Sequence, residues 1–449
     1  MIGLLLLAGL ILSNSAFGQT TDASSRPNVL LIVMDAVRAD HLSPYGYARK
    51  TSPTLDRVAA EGVLYESAIS AAPWTLPSTA SLFTGRYARD HGVSSMKLKL
   101  QPSQVTIAEL LREAGYQTVG FSGNAFVGEV WGLAQGFDEF FDVWRGLSES
   151  RVDDGAEATN EWISDWLETS RDTDRPFFMF AMYFEPHFPY SPPRPYSTRF
   201  LPDGADPEQV ARLRSWKHPR EVGYVLKAPG MEVTEREFEI LKSQYDGEIS
   251  YLDSRIGELL ADFKTRGILD NTIVVITSDH GEHFGEHSLM DHKMSLYEEV
   301  IRTPLIIRYP PALSAGVRVR QQVQNVSILP TVLSLAGLKC PDNLNSPPLP
   351  IRGGQAGQRY AFSEFERPAM FLDVMKEAFP QADPSPFDRA LKAVRTERYK
   401  FIWSSDLKHE LYDLKRDPRE QNNLYRKRRE AAQELLNVLE AFRRGEGPG

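Results

Sequence analysis

The stretch Thr272-Ile273-Val274-Val275-Ile276-Thr277-Ser278-Asp279-His280-Gly281-Glu282 opens on an apolar run and closes on polar side chains that ligate and titrate. A run of β-branched residues without polar alternation is the pattern of a strand buried on both faces, as in a parallel sheet covered by helices. Three other stretches repeat it. Asn28 to Met34 runs into Asp35, Tyr116 to Phe121 into Ser122-Gly123-Asn124, and Phe177 to Phe184 into Glu185-Pro186-His187. Helical patterns lie between them. Thr106-x-x-Glu109 is a capping box opening a helix that Gly115 closes, and Glu157 to Leu167 gathers Trp162, Ile163, Trp166 and Leu167 on one face. Thr234-x-x-Glu237 opens a long helix, with Phe238, Leu241, Tyr245, Ile249, Leu252 and Ile256 at spacings of three and four, that stops at Gly267. Pro304 to Arg308 reads as one more strand and Ser327 to Leu338 as a helix. Strand and helix in alternation predict an α/β fold with a large, mixed but mostly parallel sheet sandwiched by helices.

Ligands of open parallel sheets bind at the carboxyl ends of strands, so Asp35, Asn124, His187 and the pair Asp279-His280 are expected to converge. A single strand-end Asp or Asn is more often a turn former or a cap; four such ends together favour a site. A nucleophile candidate comes from Ala72-Pro73-Trp74-Thr75-Leu76-Pro77-Ser78-Thr79-Ala80-Ser81-Leu82-Phe83-Thr84-Gly85-Arg86, where a helix is expected to begin at Pro77-Ser78 and end at Gly85. Thr75 then sits where unpaired N–H groups and the helix dipole favour an anion, although an N-cap role explains a lone Thr equally well. Asp35, Asp279 and His280 with the Thr75 hydroxyl make a hard, mostly oxygen donor set for one divalent ion, Ca²⁺, Mg²⁺ or Mn²⁺, with Zn²⁺ possible. No Asp-plus-two-His set stands out for a second ion. In this reading Thr75 attacks an anionic ester, Lys293, Asn124 and the helix N-terminus hold its free oxygens, and His187 or His292 protonates the leaving group. His283 and His287 are read either as residues that support the site from behind or as structural ones, with no chemical role assigned.

The 449 residues suffice for one large core and a smaller domain, and 42% hydrophobic with 25% charged residues is an ordinary globular composition. A net charge of -9 argues against a nucleic-acid binder. Ile2 to Leu12 is apolar and Ser15-Ala16-Phe17-Gly18 offers a small-residue cleavage site, so residues 1–18 read as a secretory signal, too short for a stable membrane span, and 19–26 as a linker. The expectation is an exported protein, periplasmic or extracellular. The lone Cys340 has no partner for a disulfide within the chain and reads as a buried small residue. Tyr190 to Val233, with Arg194, Arg199, Arg212, Arg214, Lys217 and Arg220, reads as an insertion or lid, or as a solvated loop. The Pro-rich stretch from Pro341 to Pro350 marks a boundary between a catalytic domain over 27–345 and a C-terminal α+β subdomain over 346–449. That subdomain shows strands at Tyr360 to Phe365, Tyr399 to Trp403 and Glu410 to Leu414, and a terminal helix near Arg429 to Arg443.

These motifs resemble the sulfatases, within the wider alkaline phosphatase superfamily. Pro77, Ser78, Thr84 and Gly85 stand where the sulfatase signature, a Cys or Ser followed by x-Pro-Ser-Arg, four residues and Thr-Gly, wants them. Asn28 to Asp35 resembles the first strand and metal Asp. Asp279-His280-Gly281-Glu282, Lys293-x-x-x-Tyr297-Glu298-Glu299 and Arg302-x-Pro304 resemble the second metal motif with its Lys. Glu185-Pro186-His187-Phe188-Pro189-Tyr190 resembles the motif whose His contacts the ester, and Arg395 to Lys400 with Glu410 to Leu414 resembles the C-terminal subdomain. The resemblance implies the alkaline phosphatase-like fold, one divalent metal and an anionic ester substrate, small or oligomeric; it carries nothing on oligomeric state. The departures bear on chemistry. Thr75 replaces the Cys or Ser that becomes formylglycine, and its methyl-bearing β-carbon would oxidise to a ketone. Thr79 replaces the Arg, Ala36 the second Asp, and Ser122-Gly123-Asn124-Ala125 a Gly-Lys-x-His stretch. What is lost is the sulfatase-specific apparatus. The implied reaction is therefore transfer or hydrolysis of a phosphate diester or phosphonate monoester through Thr75, with direct sulfate-ester hydrolysis by Thr75, or a non-catalytic binding scaffold, as alternatives.

Overall fold

The computed structural model describes residues 26–147, 153–216 and 220–446, so the expected signal segment and nearly all of the linker lie outside the described residues. Eight strands form the central sheet in the order Val317–Val319, Val63–Tyr65, Leu305–Arg308, Thr272–Ser278, Asn28–Met34, Phe177–Tyr183, Gln117–Ser122, Glu139–Asp142. Leu305–Arg308 runs antiparallel to both of its neighbours and the other pairings are parallel, which matches the mixed, mostly parallel sheet expected. Asn28–Met34 lies between Thr272–Ser278 and Phe177–Tyr183, and all three strands are buried throughout. Their unbroken apolar runs follow from that position, because helices cover both faces.

Both expected capping boxes form, at Thr106 with Glu109 and at Thr234 with Glu237. The latter opens a 31-residue helix, Glu235–Thr265, that packs against Tyr196–Arg199, Pro207–Arg214 and Ala156–Thr169. On Ala156–Thr169, Ile163, Trp166 and Leu167 are buried as expected, whereas Trp162 is exposed at the helix edge. The described part of the segment from Tyr190 to Val233 is a built wall and not a solvated loop; Lys217 lies outside the described residues. Arg199 donates to Ser250 and Arg212 pairs with Glu237, which fasten the segment to the long helix, and Arg214 donates to Ser191 and the Pro192 carbonyl within the segment itself.

The C-terminal part is a four-stranded antiparallel sheet, Ala361–Phe365, Leu391–Arg395, Tyr399–Ser404, Glu410–Asp413, covered by the helix Arg429–Arg443 through Ala432, Leu435, Leu439 and Phe442. Its polar, basic Leu391–Arg395 strand and the preceding helix Ala369–Ala378 do not announce themselves in sequence. The Pro-rich stretch lies on the larger body, with Asn345 N–H donating to the Gly85 carbonyl at 3.4 Å and the Leu349 N–H to Thr331 Oγ1 at 2.7 Å. Among the described residues no helix is long and apolar enough to cross a membrane.

Candidate active site

The carboxyl ends of the central strands bring together most of the residues expected there. Asp35 follows Asn28–Met34, Asp279 and His280 follow Thr272–Ser278, and their ligating atoms lie within 4.8 Å of one another. All three side chains are fully buried. Asp279 Oδ1 accepts from the Ala36 N–H at 3.2 Å and the His280 N–H at 2.9 Å, whereas Asp279 Oδ2 and Asp35 Oδ1 have no hydrogen-bond partner. Ala36 reaches Asp279 because it adopts φ 58°, a left-handed turn that the Tyr245 hydroxyl holds through the Ala36 carbonyl at 2.7 Å.

His280 explains what the orphaned oxygens are for. Its Nδ1 contacts the Gly281 carbonyl at 3.0 Å, so that nitrogen carries the proton and Nε2 presents a lone pair. Nε2 faces Asp279 Oδ2 at 3.3 Å and Asp35 Oδ1 at 3.7 Å. Three electron-rich atoms turned on one another in a dry interior repel unless a cation lies between them. Burial, followed by the mutual repulsion with Asp279, raises the Asp35 carboxyl well above its usual range; burial raises Asp279 and lowers the His280 imidazolium. The donor set fits a divalent metal ion, two carboxylates and one neutral imidazole.

Thr75 completes the group, its Oγ1 lying 3.2 Å from His280 Nε2. The helix carrying it spans Thr75–Thr84, two residues earlier than expected, with Trp74 in the capping position. Thr75 is therefore a first-turn residue and not an N-cap. Gly85 ends the helix with φ 63°, as a left-handed cap requires. Ser78 clips this helix to the metal strand, its hydroxyl donating to the Asp279 carbonyl at 2.7 Å, and Ser70 donates to the same oxygen at 2.5 Å. Thr79, where the family pattern has Arg, is fully buried with its hydroxyl unpartnered.

The remaining expected residues surround Thr75 in one cavity of about 490 Å³, lined among others by Asn124, His187, His292 and Lys293. The Asn124 amide donates to Asp35 Oδ2, while its side-chain oxygen accepts from the Phe126 N–H at 2.6 Å, so Asn124 fixes one carboxylate of the candidate donor set as well as facing the cavity. His187 Nδ1 donates to the Phe188 carbonyl at 2.7 Å, leaving Nε2 free, and burial pushes this imidazole down to about 3. His292 stacks on His280, ring centroids 4.0 Å apart, and burial holds it well below the usual histidine range. Both rings are neutral at pH 7, so an acid role for either requires uptake of a proton. Burial alone would depress the Lys293 ammonium, but Asp291, 2.5 Å away, and Glu221 outweigh it and keep the charge.

A second set of donors was not foreseen. Glu282, Asp291 and His292 also bring ligating atoms within 4.8 Å, with His292 Nδ1 2.7 Å from Asp291 Oδ1 and 3.5 Å from Glu282 Oε1. Two carboxylates and one imidazole, brought together by the pairing of His283–Phe284 with Met290–Asp291 and with Asp291 at φ 70°, form no recognisable linear spacing. Lys293 is the cation paired with this set. His283 and His287 turn elsewhere as expected, to Ser295 at 2.7 Å and onto the Tyr297 ring at 3.7 Å.

Comparisons with known proteins agree with this geometry. The profile of the family described as Sulfatase matches residues 27–338, and one described as N-sulphoglucosamine sulphohydrolase, C-terminal, matches 285–444. The N-acetylglucosamine-6-O-sulfatase of Bacteroides thetaiotaomicron is 28% identical over 97% of this chain and 89% of its own length. The multifunctional alkaline phosphatase superfamily protein PehA of Trinickia caryophylli is 24% identical over 89% of this chain and 91% of its own. Among solved structures, the phosphonate monoester hydrolase of Agrobacterium radiobacter superposes with a TM-score of 0.74 at 23% identity, covering 94% of this chain and 96% of that one. Since the Sulfatase profile matches residues 27–338, well over half of the sequence, the chain belongs to the sulfatase family of ester hydrolases.

Proposed function

We propose that this protein is a metal-dependent hydrolase or transferase of phosphorus esters, a phosphate diester or phosphonate monoester, acting through a covalent intermediate on Thr75. The observation that carries the reading is the placement of Thr75 Oγ1 3.2 Å from His280 Nε2, on the first turn of a helix and beside the orphaned oxygens of Asp35 and Asp279. Asp35, Asp279 and His280, with Thr75, would hold one divalent cation, Ca²⁺, Mg²⁺, Mn²⁺ or Zn²⁺, which supplies charge neutralisation and a lowered hydroxyl pKa. Thr75 Oγ forms a bond to phosphorus while the bond to the leaving oxygen breaks, and the hydroxyl proton passes to solvent water. Lys293 and the unpaired N–H groups of Thr75 and Leu76 face the free oxygens; Pro77 has none to offer. His187 and His292, neutral at rest, gain a proton more readily once an anionic ester is bound, and either can then pass it to the leaving oxygen. Water, or an acceptor alcohol, attacks the phospho-threonine and restores Oγ.

Phosphorus is favoured over sulfur by the nucleophile itself. A sulfo-threonine lacks the second hydroxyl through which a formylglycine hydrate expels sulfate. Retention of the whole donor set, including both orphaned oxygens, argues against a non-catalytic scaffold. The test is initial rates for wild type and Thr75→Ala on matched aryl phosphate monoester, phosphate diester, phosphonate monoester and sulfate ester, with each cation supplied in turn after chelation. A Thr75-dependent preference for a phosphorus ester is expected; Thr75-dependent preference for the sulfate ester overturns the reading, and activity indifferent to chelator overturns the metal.

A further inference from the structure

The polar groups of the cavity cluster tightly, whereas the rest of its lining has a different chemistry. Trp74, Phe126 and Phe184 form one apolar wall, and the helix Ala369–Ala378 contributes Met370, Phe371, Val374 and Met375. The short helix Arg220–Val225 faces it with Val222 and Val225, and Met290 and Met294 close the floor beside Lys293. The aromatic wall is braced: Trp74 meets Phe371 edge-on at 5.2 Å and Phe126 edge-on at 6.1 Å. Among the described residues, and apart from the groups clustered about Thr75 and Lys293, only Glu221 and the Trp74 indole N–H give this lining a polar side-chain atom. Val374, 46% exposed, stands at the mouth.

Such a cavity is mismatched to a hydroxylated ring. A sugar buried here would give up its water without finding partners, at a cost that affinity cannot absorb. A hydrocarbon gains from the same surface, and four methionines suit a flexible chain because their thioethers adapt in shape. We propose that the organic group carried by the substrate is an alkyl or aryl-alkyl chain, and that the Ala369–Ala378 and Arg220–Val225 helices form its binding cleft. The inference rests on the ester-hydrolase reading only for where the anionic head sits, against Lys293 and the first turn at Thr75.

Equilibrium binding separates the cleft from the chemistry. Methyl-, butyl- and octylphosphonate, whose carbon–phosphorus bond an esterase leaves intact, are titrated calorimetrically into cation-loaded wild-type protein, with glucosamine 6-phosphate as the polar counterpart. Affinity is expected to rise about threefold to fourfold for each methylene that enters the cleft, and the sugar phosphate to bind no tighter than methylphosphonate. Met370→Asp and Val374→Asp, at half-buried and exposed positions, are expected to shrink the octyl-to-methyl affinity ratio at least tenfold. A flat series, a sugar phosphate that outcompetes octylphosphonate, or variants that keep the wild-type ratio overturns the proposal. A steep series in a protein that turns over no ester leaves the cleft standing and removes the catalytic reading; turnover with a flat series does the reverse.

Discussion

The proposed mechanism concentrates the chemistry of this chain in one side chain, Thr75, and two substitutions separate what its parts do. Thr75→Ala removes the oxygen that forms the covalent bond and is expected to lower turnover by about 10³-fold or more, by analogy with the loss of other catalytic hydroxyls. Thr75→Ser keeps that oxygen and loses the methyl, so it is expected to retain activity within about tenfold, because the hydroxyl remains beside His280 Nε2. Mass spectrometry of acid-quenched enzyme should find a phosphoryl group on the Thr75 peptide of wild type and on the corresponding peptide of the Ser variant, and none on that of Thr75→Ala. An adduct elsewhere, or full turnover by the Ala variant, would remove Thr75 from the mechanism. At this scale the sequence was most informative. Asp35, Asp279, His280 and Thr75 could be singled out because each follows or begins a regular element, so that its direction is set by backbone geometry. Glu282 was quoted at its strand end without a role and Asp291 was missed, because the two are brought together by the short antiparallel pairing of His283–Phe284 with Met290–Asp291, Asp291 at a left-handed φ of 70°, and spacing along the chain does not show that pairing.

Just beyond the end of Phe177–Tyr183 the fold buries acids outside the candidate site. Glu185 is fully buried, accepting from the Ala156 N–H at 2.9 Å at the start of Ala156–Thr169, with its other oxygen unpartnered. Burial, then Asp154, pushes its carboxyl up to about 8, burial pushes Asp154 up to about 7, and burial raises Glu248 on the long helix well above its usual range. A carboxyl whose folded pKa is raised keeps its stabilising proton below the unfolded value near 4.3 and loses it as pH climbs to the folded value. The buried histidines act oppositely, but only below about 6.5, where the unfolded chain begins to bind protons that the native state refuses. Between pH 6.5 and 8 the carboxyls decide, and wild-type stability is expected to fall. Glu185→Gln, which keeps an acceptor for Ala156, should flatten that fall by up to about 1.4 kcal/mol per pH unit and be the more stable protein at pH 8. Urea unfolding at the two pH values measures it, and parallel slopes would refute it. Long apolar strands and capped helices were legible because burial on both faces and local capping leave marks in sequence. The Ala369–Ala378 helix and the Leu391–Arg395 strand were not, since Lys392 pairs with Glu364 and Arg395 with Glu298 in contacts made only after folding.

Across the whole molecule, the C-terminal sheet is fastened to the catalytic body by a charge that no solvent reaches. Lys400, fully buried on Tyr399–Ser404, donates to the Leu296 carbonyl at 2.9 Å and pairs with Glu420 at 2.7 Å and Glu298 at 3.2 Å. Ser363 adds a second fastening, its hydroxyl donating to the Ser70 carbonyl at 2.6 Å, and Ser70 in turn holds Asp279. Leu296 lies three residues beyond Lys293, so the sheet steadies the segment that carries the cation of the site. Lys400→Met fills the space but leaves the buried Glu420 without its cation and frees the Leu296 carbonyl, while Glu298 keeps its pair with Arg395, a loss expected to be about 3–5 kcal/mol. The double variant with Glu420→Gln removes that stranded group and should recover part of it. If Lys400 also positions Lys293, the single variant assayed below its melting transition should show a raised KM for the anionic ester, and the double variant should lower it again. Unfolding free energies within about 1 kcal/mol of wild type would mean that the sheet is held by its apolar contacts alone, and an unchanged KM in a destabilised protein would confine Lys400 to holding the two parts together.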